Sequence, residues 1–211
     1  MPPRYWLVKS EPEAFAIDDL ARAPRQTTCW DGVRNYQARN YMRDQMQVDD
    51  RVLFYHSSTS PPAVVGTARV VRAAYPDHTA WDPRSDHFDP KASPENPIWM
   101  MVDIQLDKVL ARSVPIDELR AQKALQGMEL LRRGSRLSVQ PVTAAEFRTI
   151  VALAETPASS PEVPPDEPAA ARARRPVRRG SAASTSTRRS KSAVARPTQA
   201  SRRTRKPRRT K

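Results

Sequence analysis

The 211-residue chain contains 38% hydrophobic and 28% charged residues and has a formal net charge of +13. These proportions fit a soluble protein. No run of about 18 apolar residues occurs, so we expect no membrane-spanning helix, and the N-terminus lacks the apolar segment of a secretory signal. Cys29 is the only cysteine, which excludes an intramolecular disulfide and a Cys-x-x-Cys metal or redox site. We therefore expect a cytoplasmic protein, associated with the nucleoid if it is bacterial.

The positive charge is concentrated at the C-terminus. Residues 156–211 contain 16 of the 36 lysines and arginines but only three of the 23 acidic residues, so residues 1–155 are neutral overall. The last aromatic residue is Phe147. A segment without aromatic side chains and with few large aliphatic ones buries too little apolar surface to fold. We predict one folded domain over residues 1–155 and a disordered, basic tail over residues 156–211.

Hydrophobic patterning predicts five strands. In the clearest of them, Val102, Ile104 and Leu106 alternate with polar residues, which gives one dry and one wet face. Gly66 lies inside another strand and indicates a β-bulge or a close backbone approach. The predicted strands cover residues 5–8, 51–56, 63–71, 98–109 and 136–139.

Capping residues and helical periodicity predict four short helices. The first begins near Asp18, the second follows Asn35 as its N-cap, and the third begins at Pro115. The fourth follows a capping box formed by Thr143 and Glu146. Strands with scattered short helices indicate an α+β fold with a curved or barrel-like sheet, rather than repeated βαβ units.

Residues 77–97 are predicted to form one long ordered loop. The densest group of polar side chains lies there: Asp77, His78, Asp82, Asp86, His87 and Asp89. These residue types bind divalent metals, but their spacing matches no metal template, and aspartates in a proline-rich loop also form Asx turns. His56 ends a strand and would be either a general base or a hydrogen-bonded structural residue. A metal- or His-dependent nuclease or hydrolase is therefore one alternative, although we assign no catalytic residue, metal or cofactor.

The segment Trp30-Asp31-Gly32-Val33-Arg34-Asn35-Tyr36 has the composition of a ligand site. An aromatic ring can stack on a planar heterocycle, while an acid and an amide hydrogen-bond to its edge. The same pattern also fits a core tryptophan, a turn glycine and the N-cap of the following helix. Composition alone leaves both interpretations open.

Several motifs resemble those of EVE domains. The matching segments are residues 5–12 (YWLVKSEP), 30–40 (WDGVRNYQARN), 54–57 (FYHS), 75–77 (YPD), 96–99 (NPIW) and 136–142 (RLSVQPV). They run in order over nearly the whole predicted domain. The resemblance implies a PUA-like pseudo-barrel of short strands with peripheral short helices, similar to the YTH domains that bind methylated adenine in RNA. It also implies a non-enzymatic protein that binds modified bases in nucleic acid, with DNA preferred over RNA as partner.

The resemblance also implies a base-binding pocket on the barrel. Its expected members are Ser10, Glu11, Pro12, Trp30 and Asp31, with Arg34, Asn35, His56, Ser57, Arg136 and Ser138 as further members. Such a protein must take its base from a single strand or flip it out of a duplex. Trp30 would stack on the base, and Glu11 or Asp31 would accept a hydrogen bond from an exocyclic amine. The acidic residues of the long loop would repel a phosphate backbone that approached them.

The tail has the composition of a polyanion-binding segment. We predict that it binds phosphates without sequence preference, which raises the affinity of a domain that itself supplies selectivity. The alternatives are a solubilising extension, or a general nucleoid-packaging protein whose folded domain docks other proteins. The predicted phosphate-binding residues are Arg174, Arg175, Arg178, Arg179, Arg188, Arg189, Arg202, Arg203, Arg205, Lys206, Arg208 and Arg209.

Overall fold

The computed structural model describes residues 2–156, which form a bent six-stranded sheet with four short helices. The strands are β1 (Tyr5–Ser10), β2 (Thr27–Trp30), β3 (Arg51–His56), β4 (Ala63–Pro76), β5 (Met100–Pro115) and β6 (Val139–Val142). The helices are α1 (Ile17–Arg22), α2 (Tyr36–Asp44), α3 (Ile116–Ala121) and α4 (Ala144–Glu155). The predicted tail lies outside the described residues apart from Thr156, and the predicted domain boundary at residue 155 stays a prediction.

The strand order in the sheet is β2-β5-β4-β3-β1-β6. β1 pairs with β3 in parallel, and the other neighbours are antiparallel. This arrangement confirms the predicted α+β fold. The sequence pattern missed β2, which has four residues and buries only Trp30 fully. It also placed the last strand three residues too early. Within residues 2–156, no helix is long and apolar enough to cross a membrane.

Bulges bend the two longest strands. β4 and β5 contain 14 and 16 residues, and their pairing shifts register at four places. Each shift adds local twist and curvature. Gly66 lies at one of them, and a Cβ there would lie 2.6 Å from Cδ1 of Ile17. The predicted bulge and the predicted close approach therefore coincide at this glycine.

Both faces of the sheet are covered. One face packs against α1 and α2 in a hydrophobic cluster that includes Trp30 and Phe54. The other face packs against α3 and α4 through residues such as Leu119 and Ile150. A sheet that buries both faces shows apolar residues in continuous runs as well as in alternation, which is why the buried run in β3 had no period of two.

The helix caps agree with the prediction. Oδ1 of Asn35 accepts hydrogen bonds from the backbone N–H groups of Gln37 at 2.9 Å and Ala38 at 3.0 Å. Thr143 and Glu146 form the reciprocal capping box at the start of α4. These bonds satisfy backbone donors that have no partner inside the helix.

The long loop between β4 and β5 is ordered by its own contacts. It has a small core of Ala80, Ala92 and Trp99. Three of its aspartates accept a hydrogen bond from the backbone N–H two residues further along the chain: Asp77 from Thr79, Asp82 from Arg84 and Asp89 from Lys91. These bonds confirm the Asx-turn interpretation. Among the described residues, no group of three or more histidine, cysteine or acidic side chains converges as a metal site would.

Candidate functional site

A cavity of about 440 Å³ is lined by residues from β1, from β2 and from the segment before β6. The C-terminal end of β1 and the residue before β6 form one wall, and β2 forms the opposite wall. β2 and β6 are the two edges of the sheet and do not pair with each other in the described part of the chain. We call this space the seam cavity. Its volume lies in the range of small-molecule and cofactor sites.

Five of the predicted pocket residues line the seam cavity: Ser10, Glu11, Trp30, Asp31 and Ser138. They come from three separate segments of the sequence. Ser10 ends β1 and Glu11 follows it, Trp30 ends β2 and Asp31 follows it, and Ser138 precedes β6. The backbone N–H of Lys9 donates to the carbonyl of Ser138 at 2.9 Å, which joins two of these segments.

Trp30 belongs to the cavity wall and to the hydrophobic core at once. Its ring packs edge-to-face on Phe54, with centroids 5.4 Å apart and an interplanar angle of 85°. Only 8% of the residue is exposed. The environment of Trp30 therefore has features of a core residue and of a residue in a cavity wall. The ring presents a limited surface to a ligand, and the contact with Phe54 holds that surface in place.

Asp31 gives the seam cavity its distinctive electrostatic character. Burial raises the pKa of the Asp31 carboxyl, and the negative charge of Asp77 raises it further, while His87 opposes the shift. Ionisation of Asp31 is therefore less favourable in the folded protein than in the unfolded chain. A carboxyl held at such a cost in an open cavity is typical of binding and catalytic sites.

We expect Asp31→Asn to raise the melting temperature at pH 7. Because the pKa is raised by folding, protonated Asp31 is favoured in the folded state, and stability is lost as the pH rises through the folded-state pKa. The gain from asparagine should shrink as the pH falls from the folded-state pKa towards about 4, and vanish below that value, where both states are protonated. Thermal unfolding between pH 3.5 and pH 8 measures this.

Glu13→Gln is the matched control for this measurement, because it removes an exposed carboxylate near the same wall. It should leave the melting temperature nearly unchanged at each pH. A lower melting temperature for Asp31→Asn at pH 7 would show that the carboxylate stabilises the fold and would contradict the prediction.

Serine and glutamate side chains order the β1 side of the seam cavity. The hydroxyl of Ser10 donates to the carbonyl of Phe15 at 2.7 Å. The hydroxyl of Ser58 donates to Oε1 of Glu11 at 2.9 Å. These bonds shape the segment between β1 and α1, so that it supplies Phe15 as an apolar part of the wall.

The other predicted pocket residues do not line the seam cavity: Pro12, Arg34, Asn35, His56, Ser57 and Arg136. The structure gives four of them other contacts, and one of these, Arg34, forms an ion pair with Asp77. Asn35 caps α2, and the backbone N–H and hydroxyl of Ser57 both donate to the carbonyl of Ser10. Nε2 of His56 accepts from the backbone N–H of Ile17 at 3.1 Å, and burial lowers the pKa of this imidazole. His56 therefore acts as a neutral hydrogen-bond acceptor within the fold.

Sequence patterning missed several residues of the cavity wall. Phe15, Thr28 and Cys29 come from β2 and from the segment after β1, and identifying β2 would have placed two of them. Burial raises the pKa of the Cys29 thiol, and Asp31 raises it further, so this thiol is not activated as a nucleophile. His87 reaches the wall from the long loop, and no local pattern signals that approach.

The comparisons with known proteins agree with this architecture. Residues 4–153 match the EVE domain. Thymocyte nuclear protein 1 of Mus musculus is 46% identical over 169 residues, which cover 72% of this chain and 74% of the mouse protein. The human THYN1 protein, solved in complex with DNA containing 5-methylcytosine, is 41% identical with a TM-score of 0.70 and matches 73% of this chain and 99% of its own. A hypothetical protein from Leishmania major is 50% identical with a TM-score of 0.69 and matches 73% of this chain and 96% of its own.

Proposed function

Because the chain belongs to the EVE domain family, we propose that its folded domain binds a modified nucleobase in the seam cavity. This family consists of binding proteins rather than enzymes. The base comes from a single strand or is flipped out of a duplex, because a stacked base exposes neither its face nor its pairing edge. The partner is nucleic acid, with DNA favoured over RNA.

One observation carries this proposal: the seam cavity combines an aromatic ring, a hydrophobic wall and a carboxyl of raised pKa. Trp30 and Phe15 supply apolar surface, and Asp31 supplies the polar group. A ligand amine that hydrogen-bonds to this carboxyl would recover part of the cost of burying it. The human relative crystallised with DNA containing 5-methylcytosine, a base that carries an exocyclic amine.

Selectivity for a modified base must come from the shape of the cavity as well as from apolar contact. Burying one methyl group stabilises a complex by only about 0.8 kcal/mol, which is about fourfold in affinity. A larger ratio between the affinities for the modified and the unmodified base requires that the unmodified base leave a polar group unpaired or an apolar space unfilled. Main-chain pairing holds β1 on β3 and β2 on β5. The walls of the seam cavity are therefore fixed in position, as discrimination by shape requires.

We expect a chain ending at residue 156 to bind oligonucleotides containing 5-methylcytosine more tightly than the unmodified sequence. Asp31→Asn should weaken that binding about tenfold or more, because a neutral amide replaces the charged acceptor of the ligand amine. The measurement is a titration of single- and double-stranded oligonucleotides with a panel of modified bases. Since this variant is expected to stabilise the fold, a loss of binding cannot be attributed to unfolding.

The controls separate recognition from folding. Glu13→Gln should bind like the wild type. Trp30→Phe keeps an aromatic ring against Phe54 and should reduce affinity while the protein stays folded, whereas Trp30→Ala would cost about 3–5 kcal/mol of core stability. Equal affinity for every base in the panel, or Asp31→Asn binding as tightly as wild type, would contradict the proposed function.

The basic tail forms the second part of the proposal. Residues 156–211 carry a net charge of +13 while the preceding domain is neutral. Phosphates attract such a segment without regard to sequence and release counterions when they bind it. The tail thus supplies affinity for any nucleic acid, and the domain supplies selectivity for the base.

A further inference from the structure

His87 lies in the wall of the seam cavity although it comes from the loop between β4 and β5, far in sequence from the other wall residues. Its imidazole packs directly on the backbone of Gly32, which also lines the cavity. A Cβ at Gly32 would lie 2.6 Å from Nε2 and 2.8 Å from Nδ1 of His87, so only glycine permits this approach. Gly32 has φ +70°, a conformation that also favours glycine.

Arg34 holds the backbone of His87 in this position. Its Nε donates to the carbonyl oxygen of His87 at 2.8 Å, and its Nη2 donates to the same oxygen. Its Nη1 forms an ion pair with Oδ2 of Asp77 at 2.7 Å. One guanidinium therefore ties the middle of the loop to the first residue of the loop.

Asp77 completes the connection. This carboxylate is fully buried, and its Oδ2 accepts from the backbone N–H of Gly32 at 3.0 Å as well as from Arg34. The same oxygen thus fixes both partners of the contact: Gly32 directly, and His87 through Arg34. We call these residues, Asp77 and Arg34, the loop clamp.

The imidazole itself is not used by the fold. Among the hydrogen bonds within residues 2–156, the bond from the backbone N–H of His87 to Ser85 and the bonds from Arg34 to its carbonyl involve only main-chain atoms of this histidine. Both ring nitrogens are thus available to a ligand in the cavity.

We propose that His87 is a specificity-determining residue of the seam cavity and that the loop clamp is its positioning device. The inference rests on the proposed function and deepens it. The imidazole contacts the bound nucleobase, and the loop clamp holds the backbone of His87 so that the ring lies against Gly32. The distance between this ring and the other walls then decides whether the base or its modified form fits.

The test compares the full chain with His87→Ala in a titration of two oligonucleotides that differ only in one 5-methylcytosine. The readout is the ratio of the two dissociation constants, in which the contribution of the tail cancels. We expect the ratio to fall by about fourfold or more in His87→Ala, because the methyl group of the modified base then loses the wall against which it packs. His78→Ala removes the other histidine of the same loop, which does not line the cavity, and should keep the wild-type ratio.

Arg34→Lys tests the clamp separately. Lysine keeps a positive charge beside Asp77 but cannot donate in parallel to the carbonyl of His87. The ratio should fall in the same direction as for His87→Ala while the chain stays folded. A ratio that is unchanged in both His87→Ala and Arg34→Lys would overturn the inference, even though the wild type is selective.

A thermal unfolding cycle tests the contact without any ligand. Gly32→Ala should lower the melting temperature more in the wild-type background than in His87→Ala, because the alanine methyl meets the imidazole only in the former. Equal effects in the two backgrounds would contradict the placement of the ring. A wild-type chain without selectivity for any base would instead contradict the proposed function, and this inference with it.

Discussion

Removal of residues 157–211 is expected to weaken binding to any DNA by several orders of magnitude at low salt and to flatten its salt dependence. If about eight tail cations contact phosphates, the slope of log K against log salt for the full chain is about −7 on B-DNA. Affinity then falls about 10⁴-fold between 50 and 200 mM salt. The truncated chain is neutral and should show a slope close to zero. Titrations with an unmodified duplex at four salt concentrations measure both slopes.

Partial neutralisation of the tail gives an internal control. Replacing Arg202, Arg203, Arg205 and Arg208 by glutamine should make the slope shallower by about four units while the length of the chain stays constant. An unchanged slope in the truncated chain would place the phosphate contacts in the folded domain and contradict the division of roles. A full chain that binds every duplex equally, with or without modified bases, would instead favour the nucleoid-packaging alternative.

Asp77→Ala is expected to destabilise the fold about as strongly as truncation of the core residue Trp30 to alanine. It should lower the free energy of unfolding by about 3–5 kcal/mol, because it leaves Arg34 and the backbone N–H of Gly32 without their buried acceptor. That is a large part of the 5–15 kcal/mol typical of such domains. Urea-induced unfolding measures the difference. Asp86→Ala, an exposed residue of the same loop, should stay within about 0.5 kcal/mol of wild type.

The effect of Asp77→Ala should depend on pH in a defined direction. Burial alone would raise the pKa of this carboxyl, but hydrogen bonds from Thr79, Arg34 and Gly32 together outweigh it and hold the pKa below its ordinary value. A carboxylate with a depressed pKa stabilises the fold above the pKa of the unfolded state and loses this contribution as the pH falls through the folded-state value. The difference between wild type and variant should therefore shrink below about pH 4. A difference that grew toward acid pH would contradict this account.

The sequence by itself determined the local features of this protein. Asn35 and the pair Thr143 and Glu146 cap the N-terminal ends of α2 and α4 through contacts within four residues. The residue types alone were therefore enough to predict where these helices begin. Gly66 indicated its bulge because no other residue fits so close an approach. The family resemblance also pointed to Ser10, Glu11, Trp30, Asp31 and Ser138, which all line the seam cavity.

Only the tertiary structure decided how the cavity is closed. β2 has four residues, and its pairing with β5 spans more than 70 positions of the chain, so no local pattern identified it. Arg34 belongs to the same sequence motif as Trp30 and Asp31. Its guanidinium nevertheless bonds to Asp77 and to the backbone of His87 instead of lining the cavity. The loop clamp brings together residues 43 and 53 positions apart. Contacts over such separations depend on the bend of β4 and β5. This bend arises from four register shifts, and the sequence indicated only the one at Gly66.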